Sequence, residues 1–205
     1  MTRNALKTRI FSIIFIIINY LFAVQTSSID INSDNEKNVD HYSWQLSIED
    51  LNVVEVNTNK TISVGMTRIE VESILGKEIE IIDLGNTRFF DYGGLDIYYR
   101  NEIIAGIRVT ESDRYSTNRG VKIGSSMEEF LEQYKGATPK KVYSSYEVTY
   151  FALLDGKKFV DVVNDPIWIS ENQDDIYVFS FLFDGESEYL YYYFIADHMF
   201  AVSMK

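Results

Sequence analysis

The chain of 205 residues contains no cysteine, two prolines, two histidines and 19 basic residues against 31 acidic ones. Without cysteine there can be no disulfide, no thiolate metal site and no lipidated N-terminal cysteine, so stability must come from packing alone. With only His41 and His198 as imidazoles, far apart in sequence, a catalytic zinc site is not expected. The formal charge of −12 falls to −15 once Arg3, Lys7 and Arg9 are removed with the first 28 residues, which hold no acid. A polyanion such as nucleic acid is therefore excluded as a partner, because nothing offsets phosphate repulsion.

What is present is apolar and aromatic: 46% hydrophobic residues, with 15 tyrosines and 13 phenylalanines. This is ample for one folded domain or two small halves sharing a core. At the N-terminus a basic stretch precedes an apolar run from Ile10 to Val24 and the small polar residues Thr26, Ser27 and Ser28. That order predicts a secretory signal over residues 1–28 and a periplasmic or extracellular protein. A span of 15 residues is short for about 30 Å of hydrocarbon, and an uncleaved anchor, the only membrane contact expected, is the alternative. Residues 29–41 read as a polar linker. Asp30, Asn32 and Asp34 imitate the opening of a calcium loop, but Asn35 and His41 stand where that loop needs glycine and glutamate.

The most informative feature is an echo. "SVGMTRIEVESILGKE", starting at Ser63, and "KIGSSMEEFLEQYKG", starting at Lys122, each read as a strand end, a glycine turn and a capped helix. Gly65 and Gly124 supply the turn. Thr67 with Glu70, and Ser126 with Glu129, form capping boxes. Strands follow each helix, at Arg88–Tyr92, Leu95–Tyr99 and Ile103–Thr110, then at Val142–Leu154, Phe159–Val163, Ile176–Phe183, Tyr189–Ile195 and Met199–Met204, with a further one before the first corner at Asn52–Val56. The expected fold is α+β: two related halves, 42–117 and 118–205, each a short capped helix packed on an antiparallel β-sheet, with an insertion in the second. A gapless alignment of 97–109 with 192–204 pairs the closing ribbons.

"VGMTRIEV", Val64 to Val71, resembles the repeat signature of the exported β-lactamase inhibitor protein and of the SmpA/OmlA (BamE) outer-membrane lipoproteins, and Val121 to Gly136 resembles it more loosely. The resemblance implies helices on antiparallel sheets and an extracytoplasmic protein that binds a protein or envelope component and catalyses nothing. Gly65 and Thr67 inherit only their structural role, and no contact residue carries over.

The ribbon alignment places Tyr98, Arg108, Tyr191 and Tyr193 on a sheet face turned away from the helices, an amphipathic patch of the type used at interfaces. Tyr177, Phe179, Phe181 and Phe183 share a parity and belong in the core. The competing reading is a hydrolase or carbohydrate-binding protein using paired acids, for which Asp174 with Asp175, Glu186 with Glu188 and Asp91 with Asp96 are the candidates. No nucleophile elbow, phosphate loop or metal cluster accompanies them, so neither catalysis nor a cofactor or metal is expected. His198 is expected at a hairpin end as a packed residue.

Overall fold

Two glycine corners organise the chain. The computed structural model describes residues 45–83, 88–110, 113–155, 158–161, 175–198 and 200. Strand β1 (Asn52–Glu55) pairs with β2 (Lys60–Ser63), which runs into the first corner at Gly65, where φ is +93°. Helix α1 (Arg68–Leu75) begins there, with the Thr67 hydroxyl accepting from the Glu70 N–H and the Glu70 carboxylate accepting from the Thr67 N–H at 2.7 Å. Strand β7 (Tyr115–Thr117) lies on the other side of β1 and leads to the second corner, Gly124 at φ +88°. Helix α2 (Met127–Gln133) starts there with the same reciprocal cap between Ser126 and Glu129. A side chain at either glycine would meet open space, so glycine serves conformation here, not clearance.

Each corner is hydrogen-bonded to a hairpin in the same way. Gly65 N–H donates to the Ile104 carbonyl at 2.9 Å, Ile104 N–H to Met66 at 2.8 Å, and Arg68 N–H to Glu102 at 2.8 Å. At the second corner Gly124 N–H donates to Leu190 at 2.8 Å, Leu190 N–H to Ser125 at 2.8 Å, and Met127 N–H to Glu188 at 3.0 Å. Glu102 and Glu188, 86 positions apart, both take left-handed backbone, at φ +62° and +57°. The corners thus match at a separation of 59 and their hairpins at 86, not at the 95 of the predicted ribbon alignment.

Those hairpins belong to one nine-stranded antiparallel sheet. Its order is β10 (Lys158–Asp161), β9 (Ser145–Asp155), β11 (Ile176–Asp184), β12 (Leu190–Asp197), β6 (Ile103–Val109), β5 (Leu95–Arg100), β4 (Arg88–Asp91) and β3 (Glu80–Asp83), with β8 (Lys140–Val142) paired to β9. Strands from the two predicted halves lie in two blocks, β8 to β12 and β3 to β6, joined where β12 sits against β6 with Tyr193 opposite Val109 and Ile195 opposite Ile107. The molecule is α+β, mostly antiparallel, with two α-helices among the described residues. At Phe200 the backbone is helical, where the predicted strand Met199–Met204 expects extended chain; the other residues of that span lie outside the described ones. Asp197 stops that strand by accepting the Phe200 N–H at 2.8 Å.

The core lies between the helices, the three-stranded β2-β1-β7 sheet and one face of the large sheet. Phe130 of α2 meets Phe181 at 4.8 Å and Phe183 at 5.2 Å, so the predicted ring stripe of β11 is core. Burying each such ring stabilises the fold by about 1.5–3 kcal/mol. Arg119 fastens the N-terminal 3-10 helix (Ile48–Leu51) to α2, bonding the buried Asp50 carboxylate and the Gln133 carbonyl while lying over the Tyr134 ring.

Candidate interaction surface

The predicted tyrosine patch does not form. Tyr193 is 0% exposed, stacked on Phe181 beneath α2, and burial holds its phenol well above the usual range. Arg108 is 6% exposed. Its guanidinium donates to Asp96 at 2.9 and 2.6 Å and lies 4.2 Å above the Phe89 ring. Tyr98 is half-buried on the same face as Arg108, with the Phe200 ring tilted against it at 4.1 Å. Tyr191, partly exposed, is the extra residue of a β-bulge between Leu190 and Tyr192 and has the Ser145 hydroxyl 3.4 Å from its own. The four residues are therefore divided between opposite faces. The cause is the alignment: 95 differs from the observed 86 by an odd number, and an odd slip exchanges the two faces of a strand. Tyr192 and Phe194, expected toward the helices, point to the second face and are buried there.

That second face is not an open polar surface either. Register places Thr149, Ser180, Phe194, Arg108 and Asp96 in one row across five strands. Of these, Ser180, Phe194, Arg108 and Asp96 are buried. Thr149 and Ser180 hydroxyls are 3.0 Å apart, and Thr149 donates to Glu147 at 2.5 Å.

The acidic candidates are occupied with local structure. Asp91 and Asp96 are direct partners on β4 and β5, but Asp91 accepts the Gly93 and Gly94 N–H groups at 2.7 and 3.2 Å while Asp96 holds Arg108. Glu186 and Glu188 lie in an exposed turn that Asp184 closes by accepting from Glu186 N–H, Ser187 N–H and the Ser187 hydroxyl. Asp175 is exposed; Asp174, His41, Trp168, the calcium-like segment and the N-terminal 44 residues lie outside the described residues. His198 is buried, and desolvation lowers its pKa from the ordinary 6.5. Among the described residues no group of three or more His, Cys, Asp or Glu side chains is placed to hold a metal.

Two large side chains that do reach water stand on adjacent turns at one end of the sheet. Val142 pairs with Ser145, so the chain turns at Tyr143, whose backbone is left-handed at φ +53° and whose side chain is 87% exposed. On the neighbouring β11–β12 turn Tyr189 is 52% exposed, and its carbonyl accepts the Asp184 N–H at 3.0 Å. The two turns are locked together. Gly185 N–H donates to the Ser144 carbonyl at 3.0 Å, and a Cβ at Gly185 would fall 2.2 Å from that oxygen. A bulky residue in left-handed backbone is strained by about 1–3 kcal/mol and persists only where its surroundings impose it. Such a junction fixes the backbone from which two exposed phenol rings project. Neither is legible in the sequence: Ser144 and Ser145 are weak turn signals, so the predicted strand Val142–Leu154 runs through Tyr143, and Tyr189 reads as an ordinary strand residue.

No family model and no curated protein matches the chain. Among solved structures it is similar to an extracellular protein containing an SCP domain from Bacillus anthracis str. Ames, at 9% identity and a TM-score of 0.43, covering 83% of this chain and 52% of that one. It is also similar to a cysteine-rich secretory protein from Staphylococcus aureus subsp. aureus Mu50, at 12% identity and a TM-score of 0.39, covering 67% and 45%. The chain spans about half the length of these proteins. Neither belongs to the β-lactamase-inhibitor or SmpA/OmlA type, and that resemblance is withdrawn. The motif that carried it, Val64 to Val71, specifies a glycine turn and a capping box, local devices open to unrelated folds. No helix among the described residues is long and apolar enough to cross a membrane.

Proposed function

We propose that the chain is an exported, non-enzymatic binding protein that recognises a protein or envelope component through the tip bearing Tyr143 and Tyr189, with Tyr191 at its margin. One observation carries this reading: a tyrosine 87% in water is held in left-handed backbone by a turn braced against its neighbour. The strain contributes nothing to folding, and its effect is a backbone position for Tyr143 set before any partner arrives. The signal-like order of residues 1–28 supports export. The identical bonding of the Gly65 and Gly124 corners supports two related halves, whose strands share one sheet.

The test is co-sedimentation of the purified chain with isolated cell envelopes. A Tyr143→Ala, Tyr189→Ala variant with unchanged circular dichroism is expected to lose retention by about 30-fold, the equivalent of 2 kcal/mol at a hot spot. Equal retention of the variant and the unaltered chain refutes the tip as the contact surface.

A further inference from the structure

We infer that strands β5, β6 and β12 form a docking slot for a peptide segment carrying a carboxylate and, three residues later, an aromatic ring, and that here the slot is filled by the chain's own C-terminal turn. The slot has two parts. At its rim Arg100, 44% exposed, grips Asp197 with both terminal nitrogens, at 3.0 Å to Oδ1 and 2.6 Å to Oδ2. This paired geometry selects a carboxylate and fixes its orientation. Behind the rim is a ring-lined pit. Phe200 lies within it, fully buried, with centroids at 4.1 Å to Tyr98, 5.4 Å to Phe194 and 6.1 Å edge-on to Phe89. Its floor is Gly106, where a Cβ would come within 2.8 Å of the Phe200 ring.

The occupant is attached differently from a strand. Pairing of β12 with β6 ends at Ala196 opposite Gly106, and pairing with β11 ends at Asp197 opposite Tyr177. At His198 and Phe200 the backbone is helical. The Asp197 carboxylate and the Phe200 ring, joined by the Phe200 N–H bond to Asp197 Oδ1 at 2.8 Å, hold the turn against the sheet. A charged fork and a ring pit recognise side-chain chemistry, so a second segment of the same spacing fits the same contacts. The occupant in place benefits from an effective concentration in the millimolar range, which shields the slot from weak competitors.

The test uses a fluorescent peptide of the sequence ADHMFAV, residues 196–202, against the full chain. Asp197→Ala with Phe200→Ala, which empties the slot, is expected to bind the peptide at least tenfold more tightly than the unaltered chain. Adding Gly106→Ala or Arg100→Gln to that variant is expected to reduce binding tenfold or more. Binding no better than that of a scrambled peptide, or binding indifferent to Gly106→Ala, overturns the proposal. Hydrogen exchange on the unaltered chain gives an answer that needs no variant to fold. The Phe200 amide is expected to exchange at least tenfold faster than the Ile107 amide on the same sheet; equal rates, showing release only by global unfolding, also overturn it.

Discussion

Replacing Gly185 by alanine tests the junction on which the tip depends. The new methyl would sit 2.2 Å from the Ser144 carbonyl oxygen and 2.7 Å from its carbon. Ordinary contact lies more than about 1 Å farther out, and the obstacle is backbone on both sides, so no rotamer change relieves it. One turn must move. The movement breaks the Gly185 N–H bond to Ser144, worth about 0.5–1.5 kcal/mol, and adds about 1–3 kcal/mol of overpacking. The sum is a loss of about 2–4 kcal/mol. In a domain of this size that lowers Tm by about 5–15 °C. Urea denaturation followed by circular dichroism measures it, with an unchanged slope separating lost stability from a changed denatured state. Glu186→Ala, exposed in the same turn, serves as the control and is expected to stay within about 0.5 kcal/mol. Envelope retention should fall alongside stability, because Tyr143 and Tyr189 hang from the two turns that part. A Gly185→Ala variant within 0.5 kcal/mol of the unaltered chain, or one retained equally well, refutes the locked junction.

Other perturbations separate the buried polar groups. Tyr193→Phe removes a buried hydroxyl that has no hydrogen-bond partner among the described residues, and is expected to be neutral or to stabilise by up to about 1 kcal/mol; a loss larger than that in chemical denaturation contradicts the burial described. Burial lowers the pKa of His198 below 6.5, so as pH falls from 6.5 the unfolded chain takes up a proton that the folded chain refuses. Stability should be fully present above pH 6.5 and decline as pH drops through the lowered folded pKa, and His198→Gln should flatten that decline in a Tm-versus-pH series. Asp96→Asn leaves the Arg108 charge buried and should cost about 3–5 kcal/mol, whereas Asp96→Leu with Arg108→Met should cost far less than the two single changes added; additivity would deny the pair.

Legibility in the sequence followed the range of the forces involved. The corners were readable because a turn glycine and a capping box are complete within eight residues: Gly65, Thr67 and Glu70, and again Gly124, Ser126 and Glu129, do what their local chemistry requires. Long strands such as β9 and β11 were readable from their apolar content. Among short strands the result was mixed: β1, β4 and β10 fall within predicted strands, but β3 at Glu80–Asp83 and β7 at Tyr115–Thr117 were not foreseen and β8 at Lys140–Val142 was not separated from β9; these three owe their conformation to a neighbouring strand. The site was the least legible part. Its location depends on which face Tyr193 takes, a parity that one wrong alignment reverses, and on two turns meeting at Ser144 and Gly185, which are 41 positions apart.

The deeper misreading was the assumption of one wet face. Alternation of apolar and polar residues marks an antiparallel sheet with one side in water, while an unbroken apolar run marks burial on both sides. "IYVFSFLF" and "LYYYFIA" are runs of the second kind, and in β11 every residue from Val178 to Phe183 is buried, as is every residue of β12 from Tyr192 to Asp197. A strand buried on both faces has no side left with which to meet a partner. Arg108 and Asp96 follow from the same fact: polar residues in such a strand must be satisfied within the protein, and they satisfy each other across β5 and β6. For the central strands, contact with other molecules is thereby displaced to where the ladder stops. Tyr143 and Tyr189 stand on turns at one end, and at the other Arg100 and Gly106 take hold of the chain just as it leaves the sheet.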